Sequence, residues 1–168
     1  MKNSLTLIEL IIAIVLLGVI VLGAPAVYNA SLGFLRSSNR KAQVLNDLTY
    51  LLDHLDKNVY LATGWIGSPA VSTSGNSRID ITQSSGSVRY TFNPEAHTVT
   101  FRDASGSTHI LTKRLIQAPT INFNPAIGIL TVDNIVLRYD PDSSADPKDN
   151  PSVNITSQKF STPMQSLN

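Results

Sequence analysis

The chain has 168 residues, 13 Lys and Arg against 12 Asp and Glu, a net charge of +1 and 42% hydrophobic residues, enough apolar material for one domain of ordinary size and too much for a disordered chain. Its basic residues are scattered (Arg78, Arg89, Arg102, Lys113, Arg114, Arg138), so no basic stripe marks nucleic acid as a partner. There is no cysteine, which excludes thiol catalysis, disulfide bonds and Cys-based zinc sites together.

Leu10 to Val27 reads LIIAIVLLGVIVLGAPAV, an uncharged run of about 18 residues, the length that crosses a bilayer's hydrocarbon at about 1.5 Å per residue. It is a membrane span or a signal sequence. Gly18, Gly23 and Pro25 interrupt it, and Pro25, which lacks a backbone donor, is expected to kink or loosen the helix. Beyond Tyr28, Val44, Leu45, Leu48, Leu51, Leu52, Leu55 and Val59 fall three and four apart, with Arg40, Lys41, Asn46, Asp47, Asp53, Asp56 and Lys57 on the other face. That is an amphipathic helix, expected to end at Thr63 with Gly64 as its C-terminal cap.

After Trp65 the composition turns to short alternating runs between turn residues. Residues 78–82, 87–92, 97–101 and 108–111 are expected as strands, with hairpin turns at Asn93-Pro94-Glu95-Ala96 and Ala104-Ser105-Gly106-Ser107. Residues 120–123, 128–132, 134–139 and 152–156 are further candidates. One face of such a sheet is apolar (Val88, Tyr90, Phe92, Val99, Phe101, Ile121, Phe123) and suits the leucine stripe of the helix. The polar stretch from Ser157 to Asn168 is expected to fray. The fold class is therefore α+β: a long N-terminal helix, apolar over 5–28 and amphipathic over 29–64, packed on an antiparallel sheet of about six to eight strands drawn from 65–168.

A carboxylate at Glu9, at the head of the apolar run, costs on the order of a few kcal/mol if unpaired in hydrocarbon; it needs either a partner or a place among solvated headgroups. The segment Leu5-Thr6-Leu7-Ile8-Glu9-Leu10 resembles the type IV pilin and pseudopilin family, whose prepilins have a short positive leader, a cleavage point and a stretch close to FTLIEL before an apolar helix. The resemblance implies a leader of residues 1–4 containing Lys2, prepilin cleavage between Ser4 and Leu5, and N-methylation of Leu5. It also implies that Glu9 attracts the terminal amine of a neighbouring subunit during assembly; buried together, the two charges offset each other's desolvation. Gly18 matches a family glycine. Pro25 falls one place before the family's helix-loosening proline, and Ser4 and Leu5 stand where the family usually has glycine and phenylalanine.

By the same resemblance the chain would be a structural subunit, minor rather than major, of a type IV pilus or a type II secretion pseudopilus, and not an enzyme. It would sit in the bacterial inner membrane as a single-pass protein with its globular part outside the cytoplasm, then move into a periplasmic or extracellular filament. Its partners would be other pilin-like subunits, a prepilin peptidase, and an inner-membrane assembly platform with a cytoplasmic ATPase. Counting Lys and Arg alone, Lys2 before the span against Arg36, Arg40 and Lys41 after it, favours the opposite orientation.

Two other readings stay open. In one, Lys2, the apolar run to Leu22 and Ala24-Pro25-Ala26 form a secretory signal cut after Ala26, releasing a β-rich binding domain; in the other, a binding module stays anchored in the membrane and Glu9 is incidental. For an enzyme, there is no G-x-S-x-G, no P-loop and no H-E-x-x-H, and His54, His97 and His109 read as separate surface histidines. No cofactor is expected apart from a calcium candidate. Asp140, Asp142, Ser144 and Asp146 place oxygen ligands at alternate positions, but Ala145 and Pro151 stand where an EF-hand has its turn glycine and bidentate glutamate. The resemblance adds that some pseudopilins bind calcium in loops of the globular domain. The competing reading is a solvated loop whose prolines and aspartates define turns.

Overall fold

A computed structural model describes residues 6–63 and 70–163. Among them one helix, α1 (Leu7–Tyr60), precedes nine strands: β1 (Val71–Ser74), β2 (Arg78–Gln83), β3 (Gly86–Asn93), β4 (Thr98–Arg102), β5 (Thr108–Thr112), β6 (Leu115–Gln117), β7 (Thr120–Asn124), β8 (Ile129–Arg138) and β9 (Ser152–Ser161). The chain divides into two compact units, 1–39 and 40–168.

In the first unit α1 is helical through Gly18, Gly23 and Pro25 without a break. Its large apolar side chains are exposed all round, from Leu7 and Ile8 to Leu22, Phe34 and Leu35. A Cβ added at Gly18, Gly23 or Gly33 would meet nothing within 4 Å.

In the second unit, Val44, Leu48, Leu51, Leu55 and Val59 form the buried stripe of α1, at the three-and-four spacing that keeps one helix face inward. Burying each is worth about 1.5–3 kcal/mol. Leu45, expected in that stripe, points outward at 43% exposure. The helix closes when Leu61 N–H donates to the Lys57 carbonyl and Ala62 N–H to the Val59 carbonyl. Ala62 then bridges to Gln83 and Thr63 N–H donates to the Thr82 carbonyl. The expected cap at Gly64 lies outside the described residues.

The five strands β1 to β5 form an antiparallel meander in sequence order. Ile79 and Ile81 of β2, Val88, Tyr90 and Phe92 of β3 and Val99 of β4 are buried on its inner face, in the registers Ile79↔Tyr90, Ile81↔Val88 and Phe92↔Val99. Both expected hairpin turns form. Asn93 Oδ1 accepts from Ala96 N–H at 3.0 Å, and Asp103 Oδ1 accepts from Ser107 N–H at 2.9 Å.

The remaining strands form a second sheet centred on β8, with β6 and β7 along one side and β9 along the other. The expectation of six to eight strands becomes nine in two sheets, because β1 and β6 are only four and three residues long, too short to show alternation. The runs expected at 128–132 and 134–139 are one strand. Asn134 adopts φ 59°, a left-handed conformation that Asn tolerates. The burial pattern changes phase there, so Leu130 and Val132 before it and Ile135 and Leu137 after it are all buried. The fraying expected from Ser157 is corrected up to Ser161: β9 pairs with β8 through Ile129↔Ser161, and Phe160 is buried opposite Leu130. Residues 164–168 lie outside the described residues.

Candidate assembly site

Thr6 and Glu9 meet at the start of α1. Glu9 Oε2 accepts hydrogen bonds from the Thr6 backbone N–H at 2.8 Å and from the Thr6 hydroxyl at 2.9 Å, and Thr6 Oγ1 accepts from the Glu9 N–H at 3.4 Å. This is a capping box: Thr6 is the N-cap, Glu9 the third helical residue, and each satisfies an amide the helix leaves unpaired. An anion here also sits at the positive end of the helix dipole. The signal was present in the sequence as Thr-x-x-Glu ahead of an apolar run, and it gives Glu9 a local role that the charge argument alone did not supply. All three contacts leave the carboxylate at the helix entrance, next to the position where the implied cleavage would create a new terminus. Ser4 and Leu5 themselves lie outside the described residues.

Downstream, Gly18 and Pro25 sit inside the helical run. Pro25 has no N–H to offer the Val21 carbonyl, one turn back, and Ser31 Oγ donates to the Val27 carbonyl at 2.8 Å, a back-bond that competes with the helix's own ladder. The stretch is long and apolar enough to cross a membrane.

The second polar constellation lies where α1 meets β3, and there the reading of His54 as a surface histidine is corrected. His54 Nδ1 lies 2.7 Å from the Tyr90 hydroxyl, which donates to the His54 carbonyl at 2.9 Å and accepts from Asn58 Nδ2 at 2.8 Å. Gln83 Nε2 extends the network by donating to the Asn58 carbonyl and side chain. The His54 ring also packs edge-on against Phe101, 4.5 Å between centroids. Desolvation, with Lys57 and His109 nearby, lowers the His54 pKa, and burial raises that of Tyr90. The network pins helix to sheet; it has no exposed nucleophile or base.

The loop carrying the calcium candidates is organised by Asn150, a buried side chain. Its Oδ1 accepts from Asp140 N–H at 2.8 Å and its Nδ2 donates to the carbonyls of Asp140 at 2.7 Å and Ser143 at 3.1 Å. Asp140 and Asp146 each accept a backbone amide two residues on, from Asp142 and Lys148, the turn chemistry of such residues. Asp142 instead faces His97 Nε2 at 3.2 Å. Among the described residues no three His, Asp or Glu side chains converge as a metal would require.

One comparison with known proteins bears on the N-terminus: residues 1–25 match the model of the prokaryotic N-terminal methylation motif. No curated protein and no solved structure matches the chain. The matched segment contains Leu5, the Thr6–Glu9 capping box and the first turns of the exposed apolar helix, and it is the prepilin-type signal of type IV pilins and pseudopilins.

Proposed function

We propose that the chain is a minor subunit of a type IV pilus or a type II secretion pseudopilus, held in the inner membrane by the first part of α1 and then packed through it into a filament. The observation that carries the reading is the coincidence, within residues 1–25, of the methylation motif with a helix whose apolar side chains are exposed on every side. Such a helix needs lipid or other helices around it. The motif implies a prepilin peptidase and other pilin subunits as partners. Cleavage between Ser4 and Leu5, N-methylation of Leu5, an assembly platform and its cytoplasmic ATPase, and placement of the globular unit outside the cytoplasm extend the same reading. The family's role is structural, and nothing in the His54 network or the Asp140 loop calls for catalysis. Identical helices packed head to tail generate an open filament. Gly18 and Pro25 would let α1 loosen there, since the helix already lacks one hydrogen bond at Pro25.

Glu9 would act twice, first as the capping partner of Thr6 and then as the carboxylate that meets the Leu5 amine of a neighbour. Two variants separate the roles. Glu9→Gln keeps a capping-box side chain and loses the charge; Thr6→Val removes the cap hydroxyl and keeps the charge. Filament incorporation, scored by immunoblot of sheared filaments against the membrane fraction, should collapse in Glu9→Gln and persist in Thr6→Val. The reverse result, or normal incorporation of Glu9→Gln, removes the charge-pairing role. N-terminal sequencing that starts at Val27 instead of Leu5 would replace the whole reading with secretion.

A further inference from the structure

The geometry points to an oxyanion-binding subsite on the outer face of the first sheet, built from Arg89 and Arg102. It is independent of the filament role. Register places Asp80 opposite Arg89 across β2 and β3, and Arg89 opposite Arg102 across β3 and β4. Two guanidinium groups directly opposed on one face of a sheet repel each other, and an antiparallel pair of this kind is stabilised by whatever anion lies between them. Both arginines line a cleft of about 230 Å³ together with Asp80, Ser87, Asp103, Ala104 and Gly106.

Each arginine is held from behind by its Nε. Arg89 Nε donates to Asp80 Oδ1 at 2.6 Å, and Arg102 Nε donates to the Gly106 carbonyl at 3.2 Å. No protein acceptor is hydrogen-bonded to the Nη groups of either side chain among the described residues, which leaves both outer forks for a ligand. Planar forks of this kind match carboxylate and phosphate oxygens two at a time. The carboxylates nearby are already engaged. Asp80, only 16% exposed, also lies 2.7 Å from Arg78 Nε, and Asp103 is taken up by Ser105 and Ser107 on one oxygen and His109 on the other. Asp80 is thus shared by Arg78 and Arg89, while Arg102 has no carboxylate partner among the described residues, so positive charge is left over where Arg102 stands opposite Arg89 in the β3–β4 register.

The wall of the cleft is fixed by two turns in contact. Gly86, at φ 128°, packs so closely on the β4–β5 turn that an added Cβ would lie 2.9 Å from Ala104 Cβ. The β4–β5 turn carries the Gly106 carbonyl that orients Arg102. A side chain at position 86 would push this turn outward and with it the Arg102 fork. The ligand class is a small oxyanion, a phosphate or a carboxylate, free or presented on a larger molecule.

Calorimetric titration of the full chain in neutral detergent, at low ionic strength, tests this with two probes, inorganic phosphate and glucuronate. Saturable heat with either is expected; heat with phosphate alone assigns phosphate-bearing ligands and heat with glucuronate alone assigns carboxylate-bearing ones. Arg102→Gln should weaken binding about tenfold or more, Arg102→Lys should fail to restore it because the fork is lost, and Lys159→Gln, on β9 away from the cleft, should leave it unchanged. No saturable heat with either probe overturns the subsite. So does unaltered binding by Arg102→Gln, or full rescue by Arg102→Lys, which would reduce the effect to diffuse positive potential.

Discussion

Two stretches of α1 are both rich in leucine and valine, and they meet different fates. Between Leu10 and Val27 the apolar residues run all round the helix and stay exposed; between Val44 and Val59 they form one stripe backed by Asp47, Asp53, Asp56 and Lys57, and the stripe is buried. Apolar content is the same kind of signal in both; its arrangement differs. A single sheet can cover one face of a helix, so only the striped half can be completed by the chain's own strands. The uniformly apolar half needs partners on every side, which lipid or neighbouring helices provide.

The comparison is tested most strongly by paired truncations. Leu51→Ala removes a fully buried side chain and should cost about 2–5 kcal/mol, read as a lower midpoint in denaturation of the full chain in neutral detergent by near-ultraviolet circular dichroism. Leu16→Ala, in the exposed half, should leave that midpoint within about 0.5 kcal/mol. Equal losses from the two would mean that the exposed half contributes to the globular core, and the contrast would fail.

Within the globular unit the next largest effect is expected at Asn150. Its side chain makes three hydrogen bonds that close the loop from Asp140, and removing it strands buried backbone groups at about 1–3 kcal/mol. Asn150→Ala should lower stability by that order and open residues 141–149 to limited proteolysis. Added calcium should not restore resistance if the Asp140 and Asp146 carboxylates are committed to their turns; restored resistance at millimolar calcium would identify those residues as ligands.

Much of this was readable beforehand because it rests on local periodicity. The leucine stripe and the β2–β5 meander with its turns follow from spacing within a few residues; the prepilin-type segment around Glu9 was legible only as a resemblance to a known family. What escaped the reading depends on tertiary context. The tail from Ser157 looked like a fraying end, yet the length of β8 offers β9 a full set of partners as far as Ser161. His54 lies one position off the hydrophobic stripe and looked solvated, because nothing local shows that Tyr90 rises from β3 to meet it. The Thr6–Glu9 box is local and legible as Thr-x-x-Glu ahead of an apolar run.

The smallest expected effect concerns pH and confines itself to the buried half of the comparison. His54 faces Tyr90, Asn58 and Phe101, with Tyr50, Lys57 and His109 close by, and its pKa in the folded chain is lowered from 6.5 chiefly by desolvation. The unfolded chain, with an ordinary histidine, binds a proton near pH 6.5 while the folded chain still resists it, so the unfolded state holds more protons in the window just below that value. Stability of the globular unit is therefore fully present above pH 6.5 and declines as pH falls through that window towards the lowered pKa. Thermal melts between pH 7.5 and 5 should show a falling midpoint, with a shallower fall in His54→Gln, which keeps a polar group beside Tyr90 and has nothing to titrate. If His54→Gln tracks the parent throughout, the acid sensitivity belongs to another group and the His54–Tyr90 contact is a packing feature alone.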